Sequence, residues 1–267
     1  MEQTFTKILK TKKLIFAAVF YGLIFSYLGL FLELWAATKP MKEWPWVVYF
    51  SPIFVAAYWV LNHLLLLLPR LWIVNLFNCL KLCSIDLKTR VEHLKKGILS
   101  PTDFNSILNR FQRLEEFVKL YNDVYGWYNA VDIINLTVAI TLMLFQIVDF
   151  LLDFHFSGAY TFLFPLGLNV IVLFEMFDEA NSFELETKKC ASILRQIPCV
   201  ISDFEGNVTV NGELEVLMLA NKFFVQPLAI TPGSFFKMNR GSLASIASVI
   251  TTYLVVLAQF YSGDEIP

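Results

Sequence analysis

The chain has 267 residues, 57% of them apolar and 16% charged, with Phe appearing 26 times. The apolar residues cluster in runs longer than a buried core helix needs, which excludes an ordinary soluble domain. A net charge of −2 points to no nucleic-acid partner.

Residues 14–36, LIFAAVFYGLIFSYLGLFLELWA, are long enough for a first membrane span. About 20 apolar residues cross roughly 30 Å of hydrocarbon. The preceding KILKTKK resembles the start of a signal peptide. The apolar stretch is too long for one, and no small-residue cleavage site follows, so the helix is expected to be retained. A second span is expected at 46–68, with Trp44 and Trp46 at its start as interfacial aromatics and Pro52 in its first turns. The two occupy 14–68.

The next stretch, SPTDFNSILNRFQRLEEFVKLYNDVYGWY, carries helix-start signals: Ser100 as N-cap, Pro101 at the first position and Asp103 closing a capping box. Phe104, Ile107, Leu108, Phe111, Leu114, Val118 and Tyr121 then recur at helical spacing. Asn109, Arg110, Arg113 and Glu116 fill the opposite face. This amphipathic helix runs into a third span at 129–151. If continuous, about 50 residues reach roughly 75 Å, more than twice the bilayer core. Gly126 is the expected break. A fourth span is expected at 158–177, and the short link before it makes the pair, within 129–177, antiparallel. A second amphipathic helix is expected at 211–226, ended by Pro227, Pro232 and Gly233, before a fifth span at 242–261.

Five spans put the termini on opposite sides. With residues 1–13, 69–128 and 178–241 in the cytosol, 19 of the 21 Lys and Arg lie inside, and only Lys39 and Lys42 lie outside. That asymmetry sets a cytosolic N-terminus and an external C-terminus at 262–267. The expected fold is thus an all-α membrane protein with cytosolic helical extensions at 69–128 and 178–241.

Cys79, Cys83, Cys190 and Cys199 have no zinc-type spacing, and His63, His93 and His155 are scattered, so no metal is expected. No Ser/His/Asp set, metalloprotease motif or Gly-rich phosphate loop is present, so no catalytic residues, no cofactor and no enzyme are expected. Paired repeats with broken helices, the mark of many transporters, are not seen either.

The C-terminal stretch SFFKMNRGSLASIASVITTYLVVLAQF resembles the signature of insect gustatory receptors. In that family the last helix ends in Thr-Tyr, five mostly apolar residues, then Gln-Phe. Here these are Thr252-Tyr253, LVVLA and Gln259-Phe260. The stretch LEEFVKLYNDVYGWYNAVDIINLTVAI is similar to the family's helix before its fifth span.

The resemblance implies seven spans. Counted back from the C-terminus, the five here correspond to the third through seventh, which suggests an N-terminally truncated member. It implies a tetrameric, ligand-gated, non-selective cation channel in the plasma membrane, a homo- or heteromer, with the last helix lining the pore. Val256, Gln259 and Phe260 are then the candidate gate. Val256 and Gln259 lie three apart on one face, and four copies of Gln259 form a polar ring. An interhelical hydrogen bond without a pore is the alternative role for Gln259. Thr252 and Tyr253 are assigned to packing against neighbouring helices. The partners implied are the lipid bilayer, other receptor subunits and a small-molecule tastant.

By the same resemblance the ligand site lies in the outer half of the helical bundle. At that depth stand Tyr27, Phe31 and Glu33 on the first span, Phe145, Gln146 and Asp149 on the third, and Tyr160 and Phe162 on the fourth. Aromatics with a few polar groups suit a small amphipathic molecule. Glu33 and Asp149 also lie where interfacial water reaches them, and the aromatics fit lipid contact equally well. Sugar-sensing members usually carry an acidic residue after Thr-Tyr; Leu254 stands there here, which argues against a sugar. A G-protein-coupled or other non-channel receptor predicts the opposite topology. A truncated, non-conducting subunit fits the same sequence.

Overall fold

The computed structural model describes residues 45–95, 101–152, 156–196, 218 and 220–263. Four long helices dominate them: α1 (Pro45–Lys95), α2 (Pro101–Leu152), α3 (Phe156–Leu194) and α4 (Arg240–Gly263). No strand is present among the described residues. Both α1 and α2 begin with a proline, whose fixed φ suits the first helical position and whose missing N–H is not needed there. The 52 residues of α2 reach about 78 Å at 1.5 Å per residue. The amphipathic stretch and the third span are therefore one helix. The fourth span forms part of α3, and α4 begins two residues before the expected fifth span.

The chain divides into two compact units: residues up to 71 with 136–172 and 248 onward, and residues 72–135 with 173–247.

In the second unit α1 contributes a seam of Ile73, Phe77, Leu80, Ser84, Leu87 and Val91, all buried. These positions alternate in steps of four and three, the spacing that keeps one face of a helix against a partner. The Ser84 hydroxyl donates to its own helix at the Leu80 carbonyl, 3.0 Å away, so the seam carries no orphaned hydroxyl. α2 packs antiparallel to α1: Arg110 meets Asp86 at 3.4 Å, and Tyr121 and Tyr125 meet Phe77 and Trp72 at centroid distances of 5.6 and 6.1 Å. α3 runs parallel to α1. Lys81 pairs with Glu179 at 2.9 Å, and two turns further Lys88 pairs with Glu186 at 3.4 Å. Burial raises the Glu186 pKa, but the hydrogen bond from Lys189 and the charges of Lys88 and Lys189 outweigh it and leave the carboxyl below its ordinary value.

Ile107, Phe111, Val118 and Tyr121 of α2 are buried as the periodicity predicts, and Asn109, Arg110, Arg113 and Glu116 are exposed. Glu115 is also buried, which the pattern did not predict. Lys119 and Lys222 compensate it at 3.0 and 2.7 Å. Leu65–His93 is long and apolar enough to cross a membrane, although 69–93 was expected in a cytosolic extension. The buried seam of α1 supplies part of that apolar composition, while Leu65, Leu68 and Trp72 stay exposed.

The segment before α4 lies along α2 as a strap. It is helical at 220–225, without regular structure at 227–230, extended at Thr231, and turns in a 3-10 helix at Pro232–Ser234. Phe223 stacks on Phe111 at 5.4 Å. The Asn122 amide donates to the Ala229 carbonyl at 3.1 Å and accepts the Thr231 N–H at 3.0 Å. The break expected at Gly126 is absent, since α2 runs through it unbroken. The glycine serves close approach instead. A Cβ there would stand 3.1 Å from the Gly233 nitrogen, so the strap backbone occupies the side-chain position. Residues 211–217 of the expected anchor helix, Ser100 and the first span lie outside the described residues.

Cys79 and Cys83 are exposed free thiols and Cys190 is a buried one. Burial pushes the Cys190 thiol up to about 12. Cys199 lies outside the described residues.

Candidate pore helix and the cavity beside it

The sequence KMNRGS fixes the start of α4. Asn239 is its N-cap: its side-chain oxygen accepts the Ser242 N–H at 2.9 Å, satisfying a donor with no partner inside the helix. Arg240 binds Asp178 at 2.7 Å, and Lys237 meets Glu184 at 3.7 Å. Phe236 stacks on Phe177 at 6.4 Å. The lead-in therefore acts as a cap and two ion pairs that seat the helix start on α3.

From there α4 is apolar. Arg240–Gln259 is long and apolar enough to cross a membrane, yet only 6% of its spanning window is buried within the chain. Tyr253 is 60% exposed and Val256 39%. Thr252 bonds its own helix, its hydroxyl donating to the Ser248 carbonyl at 2.9 Å. Thr252, Val256 and Gln259 recur at steps of four and three, so they share one face, and all three are exposed in the single chain.

A different face lines a cavity of about 300 Å³. Thr251, Leu254, Val255 and Ala258 of α4 form one wall, and Phe145, Val148, Asp149 and Leu152 of α2 form the other. Both sets repeat at helical spacing, so each wall is one helix face. One carboxylate oxygen of Asp149, Oδ1, is buried without a hydrogen-bond partner among the described residues. Leaving a buried acceptor unpaired costs about 1–3 kcal/mol, and more when it is charged.

Two of the expected ligand residues, Phe145 and Asp149, meet in this cavity. Gln146 is exposed and does not line it. Phe162 stacks on Phe150 at 5.9 Å instead. That contact and the Asn169 to Met143 hydrogen bond align α2 and α3 antiparallel. Tyr27, Phe31 and Glu33 lie outside the described residues, as do the side chains of Tyr160 and Phe260. The cavity residues of α4 were missed, although 251, 254, 255 and 258 show the same spacing as 145, 148, 149 and 152. No group of three or more His, Cys, Asp or Glu that could hold a metal occurs among the described residues.

Arg70, within the same unit, is 5% exposed. It donates to the Asn169 side-chain oxygen at 3.3 Å, and the Asn169 amide donates to the Pro165 carbonyl at 2.9 Å. A buried cation needs such partners. They sit beside the one helical turn of α3 that Pro165 deprives of an N–H.

Comparison with known proteins bears on the fold. The insect olfactory receptor OR5 from Machilis hrabei, solved with eugenol, matches at a TM-score of 0.72 and 16% identity. The match covers 97% of this chain and 68% of that one. The same receptor solved as "The structure of the insect olfactory receptor OR5 from Machilis hrabei" matches at 0.62 and 16% identity, covering 96% and 67%. This likeness gives the fold, that of a helical membrane receptor. Among curated proteins nothing matches. A family model described as "7tm Chemosensory receptor" matches residues 2–263. This multi-pass membrane protein belongs to the 7tm chemosensory receptor family.

Proposed function

We propose that the chain is a gustatory receptor subunit: a tastant-gated, non-selective cation channel of the plasma membrane whose pore is lined by α4. The observation that carries this reading is an apolar helix with only 6% of its spanning window buried. The chain itself covers little of α4, so lipid or further copies of the subunit must cover the rest. Lipid suits an apolar side chain such as Val255. It suits less well the polar face that carries Thr252 and Gln259, both exposed in the single chain. A tetramer resolves the conflict by turning Val256 and Gln259 toward a central water path and packing Thr252 and Tyr253 against neighbouring subunits. Val256, with Phe260 beyond it, closes the path by dewetting. No carboxylate stands on that face, so strong calcium selectivity is not expected.

A tastant opens such a gate only by its differential affinity for the two states. Binding near 1 mM supplies about 4 kcal/mol in all, so the closed and open states must lie within a few kcal/mol. Leu254 lines the cavity, and an apolar wall there fits a bitter or other amphipathic tastant better than a sugar.

The test is a C-terminal epitope tag stained on intact cells, with currents recorded from Val256→Cys and Gln259→Cys during thiol-reagent exposure. External staining and reagent-blocked currents are expected. Surface protein stained only after permeabilisation would reverse the topology and favour a non-channel receptor. Protein retained inside the cell would favour a non-conducting subunit. Glycosylation at Asn207, expected to be cytosolic, would also overturn the orientation.

A further inference from the structure

Among the eight described residues that line the cavity beside α4, one is ionisable, Asp149. Among the described residues, five other carboxylates that are buried or half-buried have cations at hand. Glu115, Asp178, Glu179, Glu184 and Glu186 each meet a Lys or Arg no more than 3.7 Å away. Asp149 forms no ion pair among the described residues, and its Oδ1 is shut from solvent without a hydrogen bond. A buried carboxylate oxygen left in this way favours an incoming positive charge that also donates hydrogen bonds. The other described lining residues are apolar or aromatic, apart from Thr251. A divalent metal is a poor match, because it takes six or more oxygens and one carboxylate supplies at most two. The volume, about 300 Å³, lies at the small end of ligand sites.

We propose that this cavity is the binding site of a small amphipathic amine. The ammonium group pairs with Asp149, and the hydrocarbon part fills the space between Phe145 and Leu254. This deepens, and for its gating consequence rests on, the reading of the chain as a ligand-gated receptor. One wall of the cavity is α4 itself. A bound amine therefore touches the proposed pore helix directly and favours whichever rotation of α4 keeps the cavity open.

The probes are 2-phenylethylamine and 2-phenylethanol, which share a ring and a two-carbon chain and differ in carrying an ammonium or a hydroxyl. Binding is measured at pH 7 on the purified full chain in lipid nanodiscs. The amine is expected to bind about tenfold more tightly than the alcohol, or better. Asp149→Asn preserves shape and should bring the two within about twofold of each other. Ala258→Phe, which fills the cavity from the α4 side, should weaken both. Equal binding of the two probes to the unaltered chain would overturn the proposal. So would an amine preference that survives Asp149→Asn, or amine binding unaffected by Ala258→Phe. Current recording separates this failure from that of the receptor reading. Asp149-dependent amine binding without current sinks the channel and leaves the site. Currents evoked by other compounds, with no amine preference in binding, sink the site and leave the channel.

Discussion

Asn122 holds the backbone at Thr231 with its side-chain amide, accepting the Thr231 N–H at 3.0 Å while donating to the Ala229 carbonyl at 3.1 Å. One side chain thus takes the place of a neighbouring strand for a segment that has none, and pins the strap to α2. Asn122→Ala removes both bonds and leaves two backbone groups unpaired. A loss of about 1–3 kcal/mol is expected. Thermal unfolding of the purified chain checks it. Asn122→Asp keeps the acceptor and loses the donor, and should fall between the two.

Gly126→Ala sets two effects against each other. Alanine favours a helix interior by about 1 kcal/mol over glycine. Its Cβ would also stand 3.1 Å from the Gly233 nitrogen and 3.5 Å from the Thr231 carbonyl oxygen. Those atoms are backbone, held by Asn122 and by the Met238 N–H bond to the Ile230 carbonyl, so they do not swing aside as a side-chain end would. Steric cost should win, with a lower melting temperature. The effect should be smaller in an Asn122→Ala background, where the strap can retreat.

The ion pairs between α1 and α3 predict a pH response. The Glu186 carboxyl lies below its ordinary value of 4.5 in the folded chain. A depressed carboxyl contributes stability that is complete above the unfolded value and is lost as pH falls through the folded one. Stability should decline below about pH 4.5. Glu186→Gln should flatten that part of the profile, which unfolding temperatures measured from pH 7 to pH 3 would reveal.

Asn239→Ala removes the cap of α4 and should cost about 0.5–2 kcal/mol, whereas Asn239→Asp or Asn239→Ser retains most of it. Hydrogen exchange at the amides of 241–244 should accelerate in the alanine variant alone. Uniform acceleration along the whole helix would show that the cap supports more than the first turn.

The order of these helices and the starts of α2 and α4 were legible because apolar runs, a proline at Pro101 and the Pro–Gly cluster before Arg240 are local signals, whereas the continuations of α1 to Lys95 and of α3 to Leu194 were not read. The buried face of α2 was legible through its period. Glu115 escaped because its burial depends on Lys222, a residue 107 positions away. Gly126 was misread for the same reason. A glycine that breaks a helix and one that admits another backbone look alike until the second backbone is known. Phe145 and Asp149 were named along with Gln146 on the third span, but the cavity was not, because its other wall depends on how α4 is rotated, and each residue step turns a helix by about 100°.

The contact between Gly126 and Gly233 also bears on how such a chain can drift over generations. Gly233 has φ +54°, and a Cβ added to it would come within 2.8 Å of the Phe235 ring. Each glycine is held by a different obstacle: one by its partner's backbone, the other by its own dihedral and a neighbouring ring. A single substitution at either meets a penalty that the opposite position, already the smallest residue, has no atoms left to relieve. The two positions are thus a dead end for pairwise compensation, and any lineage that escapes it must rebuild the strap between Pro227 and Arg240.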